Sequence, residues 1–405
     1  MVKFDWYKFN QSEKNLEELF VPKYFPGYIL SVYQNGIESY YSQKGHDDIF
    51  NKIEYSRDSI FRIYSMTKPI VSTAIMQLIE NNQISLDDNV DLYIPEWKNL
   101  KYFNSSKIET IKRQINIKDL LTHTSGLTYG FQGQSEVDRK YKEKNINNIV
   151  DTTLKTQEEI INELSRIPLE FSPGDFYNYS ISIDVLGFII ERVSNYSLQE
   201  YLDINVFKKL DMKDTSFTLD KSKKDRMAKC YRWNEKNKIY ELHDKRQDPD
   251  ITVKSYLENP NSFSGGAGLL STMKDYQLFG SAILDAKKGR DNPLLKKSTA
   301  ELMMQNHLPR NKYISDLSMY PIKGEQYYKG IGYGLGGSIC CDENLGISNS
   351  EKGDFGWGGA ASTSFYISNK YDYSFVFLTQ VLESEETKKL NSIVKKLIND
   401  CVINV

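Results

Sequence analysis

The sequence predicts an α/β (α+β) fold, one mixed domain interrupted by a mainly helical insert, and three observations predict it. An Asn-Gly pair joins two β-runs near the N-terminus, a second apolar hairpin lies near the C-terminus, and helical periodicity prevails between them. The first hairpin runs from Gly27 to Tyr41 about Asn35-Gly36, two residues that tolerate the positive φ of a tight hairpin turn. A helix from Ser12 to Leu19 precedes it. After Ser65 the apolar residues Ile70, Val71, Ala74, Ile75, Leu78 and Ile79 recur with helical period, and Asn81-Asn82 marks the end. Pro69 falls in the first turn of that helix, where its missing N–H costs little. Helical periodicity returns over Thr156 to Leu164 and Val185 to Val193, while the polar stretch from Gln132 to Lys155 reads as a surface loop with a short helix. The chain closes with strands at Phe365 to Ser368 and Tyr373 to Thr379 about Asn369-Lys370, then a helix from Glu385 to about Asp400. Residues 1–85 together with 262–405 are expected to form the α/β part and residues 86–261 the helical part, with the ligand site in the cleft between them.

Composition narrows the function. Hydrophobic residues at 40%, charged residues at 26% and a mean hydropathy of -0.54 suit a water-facing protein and argue against a membrane span. Lys plus Arg number 52 against 54 Asp plus Glu, so no basic field exists to hold nucleic acid. The N-terminal stretch has no continuous apolar run of signal-peptide type, and the expected location is the cytoplasm. Cys230, Cys340, Cys341 and Cys401 fit neither a disulfide framework nor zinc-ligand spacing, and His46, His123, His243 and His307 lack the i, i+4 spacing of a helical metal pair. No metal and no cofactor is expected. Gly330-Ile-Gly332-Tyr-Gly334-Leu-Gly336-Gly337 lacks the ending of a phosphate loop and reads as a glycine-rich strand pressed against neighbours.

The chemistry resides in Ser65-Met-Thr-Lys68. Residues three apart on a helix share a face, so the Lys68 amine can reach the Ser65 hydroxyl, and a serine needs such a neighbour to attack a carbonyl. At the helix N-terminus the exposed amides and the dipole favour developing negative charge. Ser-x-x-Lys also occurs at Ser271 and Ser392. Those fall at a loop-to-helix junction and in a polar C-terminal helix, where a capping or surface serine is the ordinary reading.

Seven stretches in order resemble the serine β-lactamase and penicillin-binding-protein superfamily, in the branch of class C β-lactamases, family VIII carboxylesterases and related acyltransferases. They are Phe61-Arg-Ile-Tyr-Ser65-Met-Thr-Lys68-Pro69, Ile84-Ser-Leu-Asp-Asp-Asn-Val90, Tyr93-Ile-Pro-Glu-Trp97, Ile117-Lys-Asp-Leu-Leu-Thr-His123-Thr-Ser-Gly126-Leu127, Pro173-Gly-Asp-Phe-Tyr-Asn-Tyr179 through Gly187, Ser264-Gly-Gly-Ala-Gly-Leu-Leu-Ser-Thr272 and Phe355-Gly-Trp357-Gly358-Gly359-Ala360. The resemblance spans nearly the whole chain and implies an antiparallel sheet flanked by helices, with a helical insert.

The same resemblance implies Ser65, Lys68 and Tyr179 as catalytic residues, with the backbone N–H groups of Ser65 and Ala360 as the oxyanion hole. It places Trp357, Gly358, Gly359 and Ile181 in the substrate pocket. Ile181 stands where the superfamily has an asparagine that holds an amide, and Trp357 stands where a cation usually takes a substrate carboxylate. Both departures favour a carboxylesterase or acyltransferase acting on small esters over a β-lactamase or D-amino-acid peptidase or amidase. A non-catalytic scaffold or ligand-binding role is the third reading. The expected partner is a small-molecule ester or amide, and the sequence fixes no oligomeric state. Lys68 and Tyr179 are expected to act as a coupled pair sharing a proton, which together deprotonate Ser65. His123 reads as a satisfied core histidine. No Gly-x-Ser-x-Gly elbow supplies a Ser-His-Asp triad, and the missing Ser-Asp-Asn and Lys-Thr-Gly exclude a class A β-lactamase.

Overall fold

Alternating side chains along the terminal strands explain the architecture. The computed structural model describes residues 2–21, 23–104, 107–130, 135–146, 154–234, 236–243, 256–257, 260–382, 384 and 386–403. Seven strands form one antiparallel sheet: β1 (Gly27–Gln34), β2 (Ile37–Gly45), β3 (Ile331–Tyr333), β4 (Ser338–Cys340), β5 (Phe355–Gly358), β6 (Ser364–Ser368) and β7 (Tyr373–Leu378), in the order β3-β4-β5-β6-β7-β1-β2. The two hairpins read from the sequence are therefore neighbours in one sheet, where β7 pairs with β1 in the register Phe377 to Leu30.

Five helices matter for the site: α1 (Trp6–Phe20), α2 (Thr67–Glu80), α3 (Ser182–Ser194), α4 (Met273–Lys288) and α5 (Thr387–Asp400). On one face of the sheet Tyr28, Leu30, Val32, Phe375 and Phe377 pack with Phe9, Leu16 and Phe20 of α1 and Leu390, Val394 and Ile398 of α5. On the other face Ile29, Val376 and Leu378 join the main core, which holds α2, α3 and α4. The period of two in the strands sends successive residues to opposite faces, so the sheet is covered on both.

Helix α1 begins earlier than its periodicity indicates, because Asp5 caps it by accepting from the Lys8 N–H at 2.9 Å. Helix α2 ends at Asn81 as the sequence indicates, yet residues Thr67 to Leu78 are buried all round, not along one stripe. Its polar residues face neighbours instead of water: Thr73 Oγ1 donates to the Pro69 carbonyl at 2.8 Å, and Gln77 Nε2 donates to the Asn205 carbonyl at 3.0 Å. The expected helix about Thr156 forms over Gln157–Leu164, with Thr156 and Glu159 as a reciprocal cap. A short helix, Glu136–Glu143, lies in the polar stretch; Gln132 and residues 147–153 of that stretch, and Glu385, lie outside the described residues. The glycine-rich segment is an edge strand. A Cβ on Gly336, whose φ is +97°, would lie 2.1 Å from Ser72 Oγ of α2, so this backbone approaches the nucleophile helix as only glycine permits.

Candidate active site

Ser65 sits in a 3-10 turn, Tyr64–Met66, that runs directly into α2. Tyr64 just before it has φ +43°, a left-handed conformation that a bulky L-residue adopts only when the surroundings impose it. Lys68 is the second residue of α2, and its Nζ lies 3.2 Å from Ser65 Oγ. The other two donors of that amine go to Tyr129 Oη at 2.7 Å and to the Gly266 carbonyl at 2.8 Å. An ammonium has three protons, and three acceptors stand around this one. Its head also lies over the rings of Tyr179 and Tyr129, at 4.6 and 5.1 Å from their centroids.

Tyr179 Oη is 2.7 Å from Ser65 Oγ. The residue is held from both sides of its own backbone: the Asn178 N–H donates to the His123 carbonyl at 2.9 Å, and the Ser180 N–H donates to His123 Nδ1 at 3.2 Å. The His123 ring itself packs 4.8 Å from that of Tyr179. Burial, and then the charge of Lys68, push the imidazole well below its ordinary range, so His123 is neutral. With Nδ1 accepting, its proton is on Nε2, which has no hydrogen-bond partner among the described residues. The expected core histidine is therefore satisfied on one nitrogen only, and it supports Tyr179 without reaching Ser65 by a hydrogen bond.

Trp357, in β5, lies 5.5 Å from the Tyr179 ring, and its Nε1–H donates to Tyr179 Oη at 3.4 Å. It is thus more than an apolar wall. Gly358 ends the strand opposite Ser364, and Gly359 turns the chain, its N–H donating to the Thr363 carbonyl at 2.8 Å. A Cβ on Gly359 would lie 2.4 Å from the Ile63 carbonyl oxygen, so only glycine lets this turn approach the segment leading into Ser65. Ala360 follows, exposed. Ile181 does not join this group. It is 1% exposed, belongs to the main core and lines a small pocket of about 30 Å³ with Ile146, Leu164, Asp184 and Val185, because it closes the N-terminus of α3 and its aliphatic chain packs inward.

The rival Ser-x-x-Lys positions do other work. Ser271 lies in a two-residue strand and shares a hydrogen bond with Thr215, while the cap of α4 is its neighbour Thr272. Ser392 Oγ donates to the Ile347 carbonyl at 2.6 Å. Sequence reasoning missed Tyr129 and Asp184. Tyr129 lies two residues past the end of the motif that closes at Leu127, and Asp184 follows Tyr179 by five within its motif, but among 28 tyrosines and 54 acidic residues nothing else marks them.

Residues 14–399 match the beta-lactamase family profile. The chain belongs to the beta-lactamase family. Among its relatives, Protein Rv1367c of Mycobacterium tuberculosis is 28% identical over 362 residues, covering 87% of this chain and 85% of that protein. Esterase EstB of Burkholderia gladioli is 27% identical over 333 residues, covering 80% and 77%. Acyltransferase calJ of Penicillium decumbens is 27% identical over 362 residues, covering 85% and 81%. The solved structure of EstCE1, a hydrolase with promiscuous acyltransferase activity, superposes with a TM-score of 0.78 at 22% identity, covering 97% of this chain and 98% of that one. Simvastatin synthase (LovD) from Aspergillus terreus, unliganded, does so with 0.78 at 20%, covering 96% and 98%. These two likenesses establish the fold: the mixed sheet-and-helix architecture of this chain is that of the beta-lactamase family. Among the described residues no group of three or more His, Cys, Asp or Glu is placed to hold a metal, and no helix is long and apolar enough to cross a membrane.

Proposed function

We propose that this chain is a serine esterase or acyltransferase that forms an acyl-enzyme on Ser65 with small esters. The observation that carries the reading is the meeting of Ser65 Oγ with Tyr179 Oη at 2.7 Å and Lys68 Nζ at 3.2 Å, a hydroxyl flanked by a phenol and an amine. Ser65 Oγ attacks the ester carbonyl, its proton passing to the Tyr179–Lys68 pair as the Oγ–C bond forms. The oxyanion is received by the N–H groups of Ser65 and Ala360; Gly359 has spent its own amide in the turn, which leaves Ala360 to face the reacting carbonyl. Tyr179 returns the proton to the leaving alcohol as the C–O bond breaks. Water or a second alcohol then takes the acyl group.

An ester fits better than a lactam or peptide on chemical grounds. Trp357 places an aromatic ring and one N–H where an ionised substrate group would require a cation, and Ile181, turned into the core, supplies no amide partner. EstB and calJ, named as an esterase and an acyltransferase, support the same choice. We further propose that residues 1–85 with 262–405 form one part and 86–261 the other, so that Ser65, Lys68 and Trp357 come from the first and Tyr129 and Tyr179 from the second. We also propose a cytoplasmic location: among the described residues none of Cys230, Cys340, Cys341 and Cys401 forms a disulfide, which suits a reducing compartment.

The test is a screen of short-chain p-nitrophenyl esters, amides and nitrocefin with intact-mass detection of the adduct. Ester turnover with acyl mass on Ser65, abolished in Ser65→Ala, is the expected result. An undiminished burst in Ser65→Ala removes the serine from the mechanism, and turnover of nitrocefin but not esters reassigns the substrate.

A further inference from the structure

Lys68 is wholly buried, and a buried ammonium requires a counter-charge. The carboxylate that shares its field is Asp184, in the first turn of α3 and itself buried. Gly266 stands between the two. Its N–H donates to Asp184 Oδ1 at 3.0 Å, and its carbonyl accepts from Lys68 Nζ at 2.8 Å. Ser264 Oγ donates to the same Oδ1 at 2.6 Å. Among the described residues Asp184 Oδ2 has no hydrogen-bond partner, and it faces the same glycine: a Cβ on Gly266 would lie 2.3 Å from Oδ2 and 2.9 Å from Tyr129 Oη. The glycine is what lets carboxylate, peptide, phenol and amine stand this close.

We propose that Asp184 is the counter-ion of Lys68, facing it across Gly266, and that its charge sets the pH range over which the Tyr179–Lys68 pair accepts the Ser65 proton. This rests on the reading of Ser65 as nucleophile and deepens it, since it names the charge that poises the phenol–amine pair. Burial holds the Asp184 carboxyl above its ordinary value, and the Lys68 charge, the Ser264 hydroxyl and the Gly266 N–H offset part of that rise.

The other groups facing the pair do not supply the charge. His123 is neutral, as described above. Tyr129 is pushed well above the ordinary phenol range by burial, then by Tyr179 and Asp184, and stays protonated; Tyr333 is pushed up likewise by burial. Lys155 lines the cavity beside Asp184 but donates away, to the Lys144 carbonyl at 2.7 Å. During acylation the Ser65 O–H bond breaks as the Oγ–C bond forms, the proton goes to the Tyr179–Lys68 pair and then to the leaving oxygen as its C–O bond breaks, and Asp184 keeps its charge throughout. Asp184 touches no reacting atom and is a positioning residue.

The experiment measures the rate of Ser65 labelling by a fluorophosphonate against pH, by intact mass, for the full chain and for Asp184→Asn and Ser264→Ala. Removing a negative charge weakens proton binding by the Tyr179–Lys68 pair, so both limbs of the profile are expected to move to lower pH in Asp184→Asn, by about one pH unit. In Ser264→Ala the shift has the same direction and is smaller. A merely structural role would lower the rate and leave both limbs in place, and that result in a folded Asp184→Asn overturns the proposal. If Asp184→Asn does not fold, unmoved limbs in Ser264→Ala overturn it. Wild-type chain that is never labelled on Ser65 sinks the nucleophile reading as well, an outcome distinct from labelling with unmoved limbs.

Discussion

The indole N–H of Trp357 is directed at the phenol oxygen of Tyr179 across 3.4 Å, the same oxygen that meets Ser65 Oγ at 2.7 Å. The indole thus gives a partial positive charge to the phenol without a full cation. Trp357→Phe keeps the ring contact and removes this donor, so kcat on an ester is expected to fall about threefold to tenfold, the range of one net hydrogen bond. An unchanged kcat would leave Trp357 as a wall alone. Trp357→Lys is expected to improve KM for an ester bearing a carboxylate relative to its neutral analogue.

Tyr179→Phe deletes the hydroxyl and leaves the ring between His123 and Trp357. Acylation is expected to slow roughly 10²-fold or more with little change in KM, because the proton transfer, not binding, is lost. Stopped-flow burst kinetics separate the two.

Gly359→Ala tests the turn that presents Ala360. The new methyl meets the Ile63 carbonyl oxygen and Thr363 Oγ1, the latter at 2.3 Å, so the turn must shift. Ester turnover is expected to fall roughly 10-fold or more while the thermal midpoint changes little, since one oxyanion donor is displaced. Full activity would mean the Ala360 amide is not used.

Glu13 fastens α1 to the sheet. It is fully buried, and it accepts from Tyr28 Oη at 3.2 Å, from Tyr40 Oη at 2.7 Å and from the Ser42 hydroxyl. Glu13→Ala strands these hydroxyls in an apolar layer and is expected to cost about 2 to 4 kcal/mol in urea unfolding. A loss below about 0.5 kcal/mol would show the network to be dispensable.

Asp354, just before β5, has its carboxyl pushed up to about 6 by burial, and Lys395 of α5 has its amine pushed down to about 8 by the same cause. A carboxyl that binds its proton more tightly folded than unfolded makes stability fall as pH rises from about 4 to 6. An amine that binds its proton less tightly when folded makes stability rise as pH climbs from about 8 toward 10. Asp354→Asn is expected to remove the decline in the acid window, read as denaturant midpoint against pH, and a decline that persists would assign it to other groups.

The strands and the nucleophile helix could be read from the chain because local patterns dictate them: Asn35-Gly36 sets a hairpin, and the apolar spacing from Ile70 to Ile79 sets a helix. Ser65, Lys68 and Tyr179 came from short motifs whose order is informative. What escaped were contacts that only folding creates. Tyr129 lies 61 residues from the amine it meets, and Gly266 lies 198 residues away. Nothing local to either position encodes that meeting. Ile181 shows the converse, for a motif position says where a residue falls in the chain and not which way its side chain turns.

The enclosure of Lys68 by two phenol rings and a peptide has a practical consequence for chemical modification. Acylating reagents that react with free amines will mark the outward lysines first, so brief treatment should recolour the surface of the protein while Ser65 continues to react. Loss of activity that ran in step with the first few modified amines would mean the enclosure opens far more often than a closed interior allows.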